Sequence, residues 1–410
     1  MSLAEPKLST GIAGLTTRTR IASIDIFRGL TMAVMIFVNA LSSVRGMPWW
    51  TEHAPAKVDV MTYVDMVFPF FLFILGVSMP IAVAQRLKRN PSQLSLWAHV
   101  AIRSFSLIVL GYILANADKA DGSHMPIGGG AWGLFALLSA ALYINVYPAS
   151  ERYKPLFTVL KYAGLAGLLV LLALFRRTTH GQVAWLDPSY PEILGLIGFS
   201  YFATSILYIP TRRWPGSAVL WLVALTALCA LSTAKIVPFP GKLPLYVWPF
   251  DNGAMPGIIM AGVVTSSIFL GAASAGKVRR AIILGIGFGV TLVFAGFLFT
   301  PLGISKIRAT PTWCLYSSGT AVLLFTGLYW ICDVRGKTAW ASFVRPAGSN
   351  TLLTYLLPDL WYFFFLACNI TYLDTHMNAG LPGVIKTFAF TALMLFFAWV
   401  LTRARIRLQL

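Results

Sequence analysis

Twelve apolar runs, separated by Gly, Pro and charged residues, decide what this chain can become. They fall at 22–41, 63–85, 97–115, 132–147, 156–175, 191–209, 217–234, 254–275, 280–299, 311–331, 349–369 and 384–402. A hydrocarbon core of about 30 Å is crossed by about 20 helical residues. Inside it every backbone N–H and C=O needs a partner, which a helix supplies from its own turns. The expected fold is an all-α polytopic membrane protein with twelve transmembrane helices. Residues 1–21 and 403–410 are expected to be cytoplasmic tails, and 22–402 a single transmembrane domain that leaves no room for a soluble one. Spans 4 and 5 contain one ionisable residue, Lys161, follow Gly128-Gly129-Gly130, and read as a peripheral hairpin.

Composition supports this reading. Hydrophobic residues make up 57% of the 410, charged residues 11%, and the mean hydropathy is +0.74. A net charge of +18 would suggest nucleic acid in a soluble chain, but here the basic residues punctuate apolar spans and no nucleic-acid partner is expected. With the N-terminus inside, nineteen Lys and Arg fall in inner segments and nine in outer loops, so both termini are expected to face the cytoplasm. Arg176 and Arg177 run against that bias. Cys229, Cys314, Cys332 and Cys368 lack CxxC spacing and His neighbours and are expected to be small core residues, with neither a disulfide nor a metal site.

Ionisable groups within apolar spans are costly, and each is a functional candidate. Span 1 holds Asp25 and Arg28, three apart on one helical face, and closes with Asn39. The first outer loop reads Trp49-Trp50-Thr51-Glu52-His53-Ala54-Pro55, and span 2 opens at Asp65 and runs into Pro69. Imidazole can accept and return a proton near neutrality, and a carboxylate can orient it. Pro69 interrupts the helical ladder and is expected to free backbone groups for a ligand. Asp251 and Asn252 precede span 8, at the same outer end as Asn39, His53 and Asp65. Span 11 adds Asn350 near its inner end and Asp359 after Pro358, and Tyr190 and Glu192 flank span 6. On the inner side Arg86, Lys88, Arg89, Arg103, Arg212, Arg213, Arg279 and Arg280 offer a basic rim suited to phosphates. The chain has no P-loop or Rossmann fingerprint, and the glycines at 285–289 read as close helix packing.

These segments resemble a known family. Ser23-Ile24-Asp25-Ile26-Phe27-Arg28-Gly29-Leu30, Phe37-Val38-Asn39, Glu52-His53-Ala54-Pro55, the run from Asp65 to Ser78, and Gly348-Ser349-Asn350-Thr351-Leu352-Leu353 are similar to the heparan-alpha-glucosaminide N-acetyltransferases and their bacterial relatives. The resemblance implies a ten-span acyltransferase core with 131–175 as an inserted hairpin, placed in a bacterial inner membrane. It implies transfer of an acetyl group from cytoplasmic acetyl-CoA, a co-substrate, to an amine or hydroxyl of an extracytoplasmic amino sugar. It makes His53, Asp65 and Asn39 the catalytic candidates, with His53 as base and Asn39 or a backbone donor at the oxyanion. Asp25, Arg28, Arg86, Arg103 and Asn350 become candidates for holding acetyl-CoA. Glu52, Trp50, Asp251, Asn252 and Asp359 become candidates for the sugar acceptor. Lipid is the surrounding partner, and a homodimer is left open. The competing expectation is a proton-coupled transporter of an amino sugar or cell-wall fragment, to which Asp25, Asp65 and Asp359 would also be suited.

Overall fold

A computed structural model describes residues 21–237, 252–274 and 276–410. The architecture is α-helical, with one two-stranded antiparallel hairpin. The apolar helices are α1 (Ala22–Leu41), α2 (Val64–Arg89), α3 (Gln93–Ala117), α4 (Gly129–Ile144), α5 (Lys154–Leu174), α6 (Glu192–Thr211), α7 (Ser217–Thr233), α8 (Ala254–Ser274), α9 (Val278–Leu298) and α10 (Pro311–Leu328). After the one-turn α11 (Arg345–Ser349) come α12 (Thr351–Ala367), the short α13 (Tyr372–His376) and α14 (Gly380–Arg403). Among the described residues nine helices are long and apolar enough to cross a membrane, and α4, α7 and α12 are shorter apolar helices. By helix composition this is a multi-pass membrane protein, and each of the twelve apolar runs becomes a helix.

The chain divides into two compact units. Unit 1 comprises residues up to Phe27, His53–Ala101 and Phe199–Trp340. Its centre is α8, of whose most apolar window 78% is buried. Helix α2 lies against α8 with no side chains between the backbones. A Cβ on Gly76 would overlap the Ile259 carbonyl oxygen, and one on Gly262 would overlap that of Phe73. Around this contact Phe27, Phe73, Phe269 and Phe325 form an aromatic cluster of edge-on and tilted rings, with Phe269 and Phe325 centroids 5.3 Å apart. Of the glycines expected to serve packing, Gly285 faces Thr326 and Phe269, and Gly289 faces Leu323 and Gly319, whereas Gly287 faces open space. A π-helical turn at Tyr329–Val334 ends α10 and carries Asp333, whose carboxylate accepts the N–H groups of Ala22 and Ser23 at 2.8 and 3.0 Å. Two orphan donors at the start of α1 are thereby satisfied.

Unit 2 comprises Arg28–Glu52, Ile102–Gly198 and Ala341–Leu410. Its core joins Leu110, Ile113, Trp132, Leu137, Phe175, Leu356 and Phe363. Helix α5 is the outlying member, with 17% of its window buried. Helix α4 is held more closely: Trp132 is fully buried and donates to the Leu171 carbonyl at 2.7 Å, and Gly133 gives room to the Phe363 ring. The hairpin β1 (Arg177–Thr179) and β2 (Gln182–Ala184) was not anticipated. It shows what Arg176 and Arg177 do: the first donates to the Ala173 and Phe175 carbonyls, the second to Trp185. Three cysteines are buried, but Cys368 departs from its expected core position: it lies beyond the last turn of α12 and is exposed.

Several hydroxyls within the helices are satisfied locally. Ser78, Thr204, Ser205, Thr265, Thr326 and Thr387 each donate to the carbonyl four residues back. No water is needed for these groups in an apolar setting.

Candidate active site

The site begins with a helix N-terminus. Helix α2 starts at Val64, so Asp65 stands in its first turn, where the unpaired N–H groups and the helix dipole favour an anion. Asp65 is fully buried. One oxygen accepts the Ala54 and Thr62 N–H groups at 3.2 and 3.0 Å and the Thr62 hydroxyl at 3.4 Å. The other lies 2.8 Å from Nδ1 of His53. Every partner in this set is a donor, so the group acts as a carboxylate and the imidazole presents N–H at Nδ1. The Nε2 lone pair is left to accept a proton. The His53 side chain is 43% exposed and that of Asp65 1%, the geometry of a fixed orienter beneath an accessible base.

Pro69 explains a second feature. Lacking an N–H, it cannot bond the carbonyl four residues back, which belongs to Asp65. The fully buried indole of Trp313 donates to that oxygen at 3.0 Å. The group freed by Pro69 is therefore taken by α10 instead of a ligand, a correction to the expectation above. Trp313→Phe removes the donor and leaves a buried carbonyl unpaired, a loss of about 1–3 kcal/mol. A lowered thermal midpoint in detergent is expected; an unchanged midpoint would exclude this role for the indole.

Opposite His53 is a residue not chosen from sequence. The Lys306 ammonium lies 3.3 Å from Nδ1 and 3.4 Å from Nε2 of His53. Near-equal distances place it over the ring face, since an in-plane approach would collide with Cε1. The loop carrying it is closely held. Asp59 pairs with Arg308 and accepts the Ile304 N–H at 3.2 Å. Thr310 and Ser305 bond each other, with the Ser305 N–H on the Thr310 hydroxyl at 3.0 Å. Gly303 has φ +84°, and a Cβ there would meet Asp59 at 2.5 Å, so only glycine fits. The Arg308 guanidinium, followed by the Ile304 N–H, holds the Asp59 carboxyl below its ordinary value. The clasp is therefore intact above the ordinary carboxylate range and is lost as the pH falls through the lowered value.

The remaining candidates are distributed as follows. With His53 and Asp65 in unit 1 are Asp25, which is buried, Arg86 in the last turn of α2, and Asn252. Asn252 donates to the Ala309 carbonyl at 3.1 Å and accepts the Ala254 N–H at 3.2 Å, so its amide joins the start of α8 to the Lys306 loop. In unit 2 are Asn39, Trp50 and Glu52, all exposed, with Arg28, Arg103, Asn350 and Asp359. The Asn350 amide donates to Thr402 and to the Ile406 carbonyl at 3.0 and 2.8 Å and accepts the Leu408 N–H at 3.2 Å. Both its donor hydrogens are engaged, by Thr402 and Ile406. Near Asp359, the Tyr355 hydroxyl donates to Glu192 at 3.0 Å. Asp251 lies outside the described residues.

Comparison with known proteins falls on the same segment. Residues 20–120 match the sequence model of the family described as heparan-alpha-glucosaminide N-acetyltransferase, catalytic. Two curated relatives bear that enzyme's name. The human protein is 38% identical over 103 residues, 25% of this chain and 15% of its own length. The mouse protein is 36% identical over 107 residues, 26% and 16% of the two lengths. The matched part thus spans about one sixth of those relatives. The resemblance carried by the motifs of spans 1 and 2 holds over this segment, which includes His53 and Asp65.

Proposed function

We propose, on the premise that residues 20–120 carry the catalytic segment of this acetyltransferase family, that the protein transfers an acetyl group from acetyl-CoA to an amine or hydroxyl of an amino sugar across a membrane. The observation that carries this reading is the His53–Asp65 pair at 2.8 Å inside the matched segment. His53 Nε2 accepts the proton of the acceptor nucleophile, while the buried carboxylate fixes the ring and stabilises the imidazolium that forms. All twelve apolar helices serve as spans in this reading, with both termini cytoplasmic as the Lys and Arg distribution favours.

The length of α2 supports a division of labour. From Asp65 to Arg86 are 21 residues, about 32 Å along a helix axis. The base thus stands at one end of a membrane-spanning helix, and Arg86, Lys88 and Arg89 at the other. Guanidinium and ammonium groups at that second end suit the phosphates of the donor.

Purified protein mixed with acetyl-CoA and a panel of amino sugars should release free thiol in step with acetylated sugar, read by a thiol reagent and mass spectrometry. Folded protein that releases no thiol with any member of the panel would overturn the proposal.

A further inference from the structure

We propose that Lys306 is a catalytic residue of this site, its ammonium stabilising the negative charge that develops on the acyl oxygen during transfer; the proposal rests on the acetyltransferase reading above. The base and its orienter account for the proton, but neither meets the charge that forms on oxygen. His53 accepts through Nε2, and Asp65 faces only donors. A donor for the acyl oxygen must therefore come from elsewhere, within reach of an atom hydrogen-bonded to Nε2.

Lys306 meets that requirement. Its ammonium is 3.4 Å from Nε2 and sits over the ring face, off the in-plane line of the Nε2 lone pair. A nucleophile about 2.9 Å from Nε2 in the ring plane places the acyl oxygen beside an ammonium with three donor hydrogens. The placement exists before any substrate arrives. Asp59 binds Arg308 and Ile304 on either side of Lys306, and the Ala309 carbonyl is held by Asn252. A charge fixed in advance is the form of stabilisation that lowers a barrier without reorganisation at the moment of reaction.

The step balances. The acceptor lone pair forms a bond to the acyl carbon as its proton passes to Nε2. The carbonyl π pair moves onto oxygen, where Lys306 donates a hydrogen bond. When that pair returns, the carbon–sulfur bond breaks, its electrons leave on sulfur, and the proton on His53 goes to the thiolate. Lys306 itself gains and loses no proton.

The test uses full-length protein and two acyl donors: acetyl-CoA with the amino-sugar panel, and 4-nitrophenyl acetate, whose hydrolysis uses water as acceptor and needs no coenzyme site. Lys306→Met should lower kcat by about 10²-fold, with the acceptor KM changed less than about two-fold, the signature of a contact made in the transition state. Lys306→Arg should recover at least about ten-fold of that loss, because it restores a cationic donor. A folded Lys306→Met protein with wild-type kcat on both donors overturns the proposal, as does 4-nitrophenyl acetate hydrolysis that ignores both His53→Ala and Lys306→Met. Should Lys306→Met not fold, Lys306→Gln carries the same comparison. Hydrolysis of the nitrophenyl ester that depends on both residues, without thiol release from acetyl-CoA, would remove the coenzyme reading and leave Lys306 in its role.

Discussion

His53→Ala should lower the proposed acetyl transfer by about 10²–10⁴-fold, the range for loss of a positioned general base, and leave the thermal midpoint close to wild type. The second half follows from exposure: the side chain is 43% exposed, so truncation opens no closed cavity and lets water reach the Asp65 oxygen that the imidazole leaves. Asp65→Asn behaves differently although it changes one atom. All the partners of Asp65 are donors, so an amide NH2 must face either the backbone N–H pair or the imidazole. Facing the imidazole, it forces Nδ1 to accept and moves the ring proton to Nε2, removing the base; facing the backbone, it opposes two N–H groups with two more. Asp65→Asn should therefore lose activity on the scale of His53→Ala and also lower the midpoint. Thiol release and thermal unfolding of the two variants side by side check both statements. An Asp65→Asn protein with wild-type turnover would show that the carboxylate does not set the tautomer.

Gly76→Ala should destabilise the protein by about 1–3 kcal/mol or more, whereas the same substitution at Gly287 should be neutral or stabilising by up to about 1 kcal/mol. The chemical change and the helical setting are alike, and only the surroundings differ. A Cβ at Gly76 overlaps the backbone of α8 at Ile259, so the two helices must separate along their contact; at Gly287 the added methyl meets nothing within 4 Å. Thermal midpoints in one detergent, with elution volume as a check of folding, decide the comparison. Equal midpoints for the two variants would mean that α2 and α8 do not touch backbone to backbone.

The helices were legible in the sequence because hydropathy is a local property: a run of about 20 apolar residues must bury its own backbone bonds wherever it lies. The predicted runs at 22–41 and 217–234 coincide with α1 and α7 to within a residue. The His53–Asp65 pair was legible for a related reason, since twelve residues separate the two and α2 opens where the loop returns. Lys306 and Trp313 were not. They reach His53 and the Asp65 carbonyl from 253 and 248 positions away, and no local signal encodes such a meeting. Part of it could have been anticipated, because Pro69 frees one specific carbonyl and a buried carbonyl requires a donor. That rule names the acceptor but not the indole that answers it. For Asn350 the motif fixes position in the chain but not which way the amide is used: its donor hydrogens go to Thr402 and Ile406.

The contact at Gly76 and Gly262 also limits how this protein can move. Bistable helix pairs switch by exchanging side-chain interlocks, and here there are no rotamers at the closest point to exchange. Sliding by one residue would bring Val77 or Val263 to a gap that admits only hydrogen, so α2 and α8 possess a single register. The imidazole at the head of α2 rides on a rigid strut, and a rocking carrier mechanism could not place its seam there.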